Sequence, residues 1–184
     1  MRRGCLTTSP AFCSRKYSKT RIRLAAGQRM HKNHAAQPLI MITAMTDADR
    51  IIARLNLAPH PEGGWYRQTW VADGPGRPAG TAIYFLLTAG QPSHWHQVDA
   101  VEIWHFHAGS PLILSIAATD QGPAQDITLG PDVLDGHIPQ GIVPKDHWQA
   151  ARSTGDYTLV SCTVSPGFQF AGFTLAPPGF DIPR

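Results

Sequence analysis

The sequence predicts an all-β fold, a jelly-roll β-barrel with one short N-terminal helix and a disordered basic head outside it. Three observations carry that reading. From Thr81 onward the chain falls into short runs of β-branched and aromatic residues, which suit the pleated surface of a strand. Turn-forming clusters separate the runs, among them Ala89-Gly90-Gln91-Pro92, Asp120-Gln121-Gly122-Pro123, Ser153-Thr154-Gly155-Asp156 and Ser165-Pro166-Gly167. Strands recurring about every 8 to 12 residues mark a sandwich or barrel rather than βαβ units. No segment repeats at a fixed period, which argues against a propeller or solenoid.

The head comprises residues 1–44, with nine Lys or Arg and no Asp or Glu. Rich in Arg, Ser and Thr and without an apolar core, it has the composition of an organelle transit peptide. The alternative is a translation start at Met41 or Met45, with the head an upstream extension. A nucleic-acid arm is a third reading, weakened because no aromatics are interleaved with the charges for base stacking.

The expected domain spans 45–180, followed by a short tail at 181–184. From Met45 onward seven basic residues face thirteen acidic ones, a net charge of −6. Such a body has no long-range attraction for phosphate backbones. The longest apolar stretches, such as Ala82 to Leu87, are far shorter than the ~20 residues of a membrane span. Neither nucleic acid nor membrane is therefore expected as a partner. Cys5 and Cys13 lie in the head and only Cys162 in the body. No disulfide framework is possible there, so a reducing, cytoplasmic location is expected, or an organelle if the head is a transit peptide.

Thr46 or Asp47 can cap a helix over Ala48 to Leu57, with Ile51, Ile52 and Leu55 on one face. Pro59 and Pro61 stop it, and Gly63-Gly64 turns the chain into the aromatic segment Trp65 to Val71. Strands are expected at Thr81 to Leu87, Ser93 to His96, Glu102 to His107, Leu112 to Ala117, Gln125 to Leu129, Ile142 to Val143, Trp148 to Arg152, Thr158 to Val164 and Phe170 to Leu175. A barrel of this size leaves strand edges that a second copy can seal, so a homodimer is expected.

Six candidate donors, His94, His96, Asp99, Glu102, His105 and His107, fall within fourteen positions. His94 and His96, two apart, would share one face of a strand and converge on one ion. Glu102 could reach back from the next strand. Such a set suits a divalent iron, manganese, nickel or zinc ion with positions left open for substrate. Gln149 either completes the set through its carbonyl oxygen or hydrogen-bonds a ligand. With Glu102 inward, alternation sends Trp104 inward and His105 and His107 outward. Arg67, Tyr66 and Tyr84 would supply an anion clamp and phenolic donors, or else pack at the rim. Glu62, beside two glycines, reads as a turn or inter-subunit contact. His60, His137 and His147 read as surface or loop residues, and Cys162 as inert.

Gly90, His94-Trp95-His96, Glu102 and Gly109 resemble the first cupin motif. Pro144-Lys145-Asp146-His147-Trp148-Gln149 resembles the second, with Asp146 for its glycine and Gln149 for its last histidine. From about Arg50 to Leu175 the body is similar to the small cupins of the cupin-5 type, a domain of unknown function. The shared blocks are His60-Pro61-Glu62-Gly63-Gly64-Trp65-Tyr66-Arg67, Thr81-Ala82-Ile83-Tyr84-Phe85-Leu86-Leu87, Glu102-Ile103-Trp104-His105-Phe106-His107-Ala108-Gly109, Val143-Pro144 with Trp148-Gln149-Ala150-Ala151, and Ser165-Pro166-Gly167-Phe168.

The resemblance implies an RmlC-like barrel whose mouth holds a small molecule. It implies His96, Glu102 and Tyr84 as catalytic residues, and Tyr66, Arg67, Trp104, His105, Gln149 and Phe168 as ligand contacts. The tentative metal set is His94, His96, Glu102 and Gln149. Cupins host many activities, so the fold does not choose one. The leading expectation is an isomerase, epimerase or lyase acting on a sugar or sugar phosphate. A metal-dependent oxygenase and a non-catalytic ligand sensor stand as alternatives.

Overall fold

Thr46 caps the first helix. In the computed structural model, which describes residues 44–184, its side chain accepts a hydrogen bond from the Asp49 amide and its own amide donates back to the Asp49 carboxylate. This reciprocal capping box satisfies two amides that have no partner within a helix. The expected head, apart from Ala44, lies outside the described residues. Helix α1 (Asp47–Leu55) ends two residues earlier than the sequence suggests, because Asn56 turns left-handed at φ 53°. Its apolar face, Ala48 with Ile51, Ile52 and Leu55, packs against Leu86, Trp65 and Leu159 on the outside of a sheet.

Eleven strands follow: β1 (Ala58–Pro59), β2 (Trp65–Val71), β3 (Thr81–Thr88), β4 (Ser93–Val98), β5 (Val101–Gly109), β6 (Leu112–Ala117), β7 (Gln125–Leu129), β8 (Gln140–Val143), β9 (Trp148–Ser153), β10 (Tyr157–Ser165) and β11 (Phe173–Leu175). They form a six-stranded sheet in the order β1-β2-β3-β10-β5-β8 and a five-stranded sheet in the order β11-β4-β9-β6-β7. The strand pairs are antiparallel. The jelly roll read from the sequence is thus the fold, with one short helix.

Two expectations at the C-terminus are corrected. Phe170–Gly172 forms a turn of 3-10 helix, and the strand begins only at Phe173. Residues 181–184 are not a loose tail, since Ile182 is fully buried, Trp95 Nε1 donates to Asp181, and Arg184 pairs with Asp126. The outer face of the five-stranded sheet is apolar at Trp95, Ala117 and Ala124, and this segment covers it.

Between the sheets the two ends differ. Leu87, Leu112, Leu114, Leu129 and Val160 fill the end near Thr158. At the other end β10 pairs Val164 with Glu102 on one side and with Thr81 on the other. There the aliphatic packing gives way to a polar cluster.

Candidate functional site

A β-bulge in β4 decides which histidine faces the interior. Ser93 pairs with Ala151 and His96 with Gln149, so three steps along β4 match two along β9. The extra residue brings both Ser93 and His96 inward. His94 is turned out, its Nε2 3.0 Å from the carbonyl of Pro177. The expectation that His94 and His96 share a face is therefore corrected.

The turn after β1 supplies the second part. Gly63 adopts φ 109° and Gly64 φ 68°, and a Cβ on Gly63 would run into the Pro92 carbonyl. Only glycine tolerates both the conformation and that approach. The His94 amide then donates to the Glu62 carbonyl at 2.8 Å, pinning the turn to β4. Glu62 is carried inward, its Oε1 accepting from Ser93 Oγ at 2.9 Å. Its Oε2 lies 3.4 Å from both His60 Nδ1 and His96 Nε2. His96 Nδ1 is 2.8 Å from the His94 carbonyl, which can only accept, so this nitrogen carries a proton and Nε2 faces the carboxylate. Burial opposes ionisation of Glu62. The charges of His96 and His60, with hydrogen bonds from His60 and Ser93, outweigh it and hold the carboxyl below the usual carboxylate range.

Glu102, from β5 on the opposite sheet, behaves in the reverse way. Burial pushes its pKa up, the Glu62 charge adds to that, and the His96 charge and a hydrogen bond from Gln149 only partly compensate. Its Oε2 accepts from Gln149 Nε2 at 2.6 Å. Gln149 Oε1 in turn accepts from Trp104 Nε1 at 2.8 Å. Cys162, on β10, lies beside this group. Burial and the neighbouring carboxylates of Glu102 and Glu62 push its thiol well above the ordinary range, which leaves it protonated and inert as a nucleophile.

These groups border one cavity of about 170 Å³. His60, Glu62, His96 and Glu102 give it a polar floor, while Tyr66, Ile83, Phe85, Val98, Val164 and Phe168 form its walls. Gln68 and the largely exposed Phe170 stand at the edge. His60 is boxed by rings, with Tyr66 edge-on at 4.6 Å between centroids and Phe170 stacked at 6.4 Å.

Of the residues singled out in the sequence, His96, Glu102, Tyr66 and Phe168 meet in this cavity. Trp104 and Gln149 lie behind Glu102 and hold it. Tyr84 and Arg67 are excluded, because they pair with each other across β2 and β3 on the sheet face opposite Tyr66 and Phe85. His105 is on that outer face too, near Thr163 Oγ1, as alternation from Trp104 requires. His60 and Glu62, read as loop or turn residues, are the functional groups the sequence reading missed. Their signal was a His-Pro-Glu before two glycines, a pattern that ties an acid and an imidazole to a tight, backbone-directed turn.

The metal set does not assemble. His94 points away, and the Gln149 carbonyl is occupied by Trp104. Among the described residues no three His, Cys, Asp or Glu side chains are grouped to hold an ion.

A two-sheet jelly roll with a polar pocket at one end is the cupin architecture. The chain belongs to the cupin superfamily family DUF985, whose pattern matches residues 49–176. A Shewanella oneidensis protein of known structure is 39% identical, with a TM-score of 0.67 over 72% of this chain and 85% of its own. A hypothetical protein from Leishmania major is 32% identical, with a TM-score of 0.68 over 73% of this chain and 90% of its own. Oxalate decarboxylase from Bacillus subtilis shares the fold at 13% identity, with a TM-score of 0.50 over 64% of this chain and 29% of its own. No curated protein sequence matches.

Proposed function

We propose that the protein is a small-molecule enzyme of isomerase, epimerase or lyase type, which moves a proton at a carbon next to a carbonyl. One observation carries the reading: two buried carboxyls border the same cavity, and their surroundings displace them in opposite directions. Groups pushed apart in this way are matched to opposite roles. Glu62, ionised, takes a proton from the substrate carbon. Glu102, protonated, gives its proton to the carbonyl oxygen, and an enediol results. Isomerisation follows when Glu62 returns its proton to the former carbonyl carbon while the other enediol hydroxyl gives its proton to Glu102, and epimerisation when the original carbon is reprotonated from its opposite face while the new hydroxyl gives its proton back to Glu102. Expulsion of a β-substituent gives elimination. His96, between the carboxyls, steadies whichever is charged.

The experiment is hydrogen exchange of a hydroxyketone in D₂O, followed by proton NMR. Glu62→Gln and Glu102→Gln should each slow exchange by about 10²- to 10⁴-fold, the usual share of general acid–base catalysis. Exchange at the wild-type rate in both variants removes the reading. The donor geometry assigns no ion to this step. Stoichiometric metal in protein purified without chelator, lost in Glu102→Ala, would be the opposing result.

A further inference from the structure

Resting on the proton-transfer reading, we infer that this cavity takes an uncharged substrate, a short hydroxy-carbonyl compound with an apolar end, and rejects phosphate esters. Among the described residues the lining contains two carboxyls and two imidazoles but no Lys or Arg. Phosphate is held by guanidinium or ammonium groups, or by the free amides of a helix N-terminus. None reaches this site. Arg67 lies on the far face of the sheet, its guanidinium carbon 5.6 Å from the Tyr84 ring centroid. Arg77, in the turn before β3, spends both terminal nitrogens on Asp99 and its Nε on the Gly167 carbonyl. The one α-helix among the described residues packs outside the barrel.

The two imidazoles do not replace those cations. Both already face Glu62 Oε2, at 3.4 Å each, so their nearest ring nitrogens are committed to that carboxylate rather than to an incoming anion. An anionic ligand would approach that carboxylate inside a cavity walled by aromatic rings, where the repulsion is poorly screened. An uncharged carbonyl needs only a hydrogen bond from Glu102 and a nearby base. The walls at Ile83, Val98, Val164 and Phe85 accept carbon, not charge. At about 170 Å³ the cavity is smaller than the roughly 300–1,000 Å³ of sites for drug-sized ligands. A few heavy atoms fill it.

The test compares acetoin and dihydroxyacetone with dihydroxyacetone phosphate, scoring both deuterium exchange and binding by ligand-observed NMR. The uncharged compounds should exceed the phosphate ester at least tenfold in kcat/KM and in affinity. Gln68→Arg, which adds a guanidinium at the cavity edge, should narrow that ratio by raising phosphate-ester binding. Equal or tighter binding of the phosphate ester by the wild type overturns the inference, and so does binding of none of the three. Binding of the uncharged compounds alone, without exchange, upholds the selectivity and removes the catalytic reading.

Discussion

Gln149 Nε2 donates to Glu102 Oε2 at 2.6 Å, joining β9 of one sheet to β5 of the other inside the barrel. The direction of this bond is fixed from behind. Trp104 Nε1 can only donate, and it donates to Gln149 Oε1, so the amide nitrogen must face Glu102. Oε2 of Glu102 is thereby an acceptor, so a proton taken up by this carboxyl sits on Oε1. No nitrogen or oxygen donor of the described residues hydrogen-bonds Oε1, and the carboxyl borders the cavity beside the Cys162 thiol, which also hydrogen-bonds it. In the proposed reaction Trp104 and Gln149 are positioning residues for Glu102.

Gln149→Leu leaves the Trp104 N–H and Glu102 Oε2 without partners in a fully buried setting. At about 1–3 kcal/mol for each orphaned group, the variant should lose roughly 2–6 kcal/mol in chemical denaturation. Trp104→Phe should cost less, and the double variant less than the sum of the two, because both remove the same chain of bonds. A purely structural role predicts nothing for the pH profile. The Gln149 bond favours ionised Glu102, so losing it should move the alkaline limb of hydroxyketone exchange to higher pH.

The two carboxyls give opposite pH dependences of stability. Glu102 has a folded pKa above its ordinary value. Its contribution is therefore complete below that ordinary value and is lost as pH rises through the folded pKa. Glu62 has a folded pKa below its ordinary value, so its contribution is present above that value and lost as pH falls through the folded one. Glu102→Gln, a neutral isostere, should flatten the alkaline side of the stability–pH curve. Glu62→Gln should flatten the acid side of the same curve. Exchange activity should follow a bell between the two folded pKa values.

Residues on the outer face of the sheet should be silent. Tyr84→Phe and Arg67→Ala remove groups that never reach the cavity, and His94→Ala removes a ring turned toward Pro177. Each should leave hydroxyketone kcat/KM within about twofold of wild type and stability within about 0.5 kcal/mol. His96→Ala, one bulge away from His94, should abolish exchange. A loss in Tyr84→Phe comparable to that in His96→Ala would move the site to the other face.

The strands were legible because alternation and turn chemistry are local. β6 and β7 have the boundaries the residue pattern implies, and the capping box at Thr46 and Asp49 is a short-range signal. His96 and Glu102 were legible as a pair because they flank one short turn. Tyr84 was misplaced because membership of a family block says nothing about which sheet face a residue occupies. Its pairing with Arg67, opposite Tyr66 and Phe85, settles that. His94 was misplaced because a bulge shifts facing by one residue and leaves no mark in composition. Glu62 was missed because the His-Pro-Glu-Gly-Gly turn marks a tight backbone but does not say what it meets, and its partners Ser93 and His96 lie some thirty residues away in the chain.

The approach of Glu62 to those partners depends on Gly63, and a control glycine can isolate that dependence. Gly63 and Gly74 both have positive φ, at 109° and 138°, so alanine strains the backbone at either place. At Gly74 the added Cβ meets nothing within 4 Å, whereas at Gly63 it meets the Pro92 carbonyl oxygen. Gly74→Ala should therefore cost only backbone strain, about 1–2 kcal/mol. Gly63→Ala must also push the turn away from β4, stretching the bond between the His94 amide and the Glu62 carbonyl. Its cost should exceed that of Gly74→Ala by at least about 1–2 kcal/mol, the scale of an impaired buried hydrogen bond. In the folded fraction, Gly63→Ala should lower exchange kcat far more than Gly74→Ala, because the Glu62 carboxylate leaves the reach of His96. Equal stability and equal kcat in the two variants would show that the turn does not hold Glu62 in place.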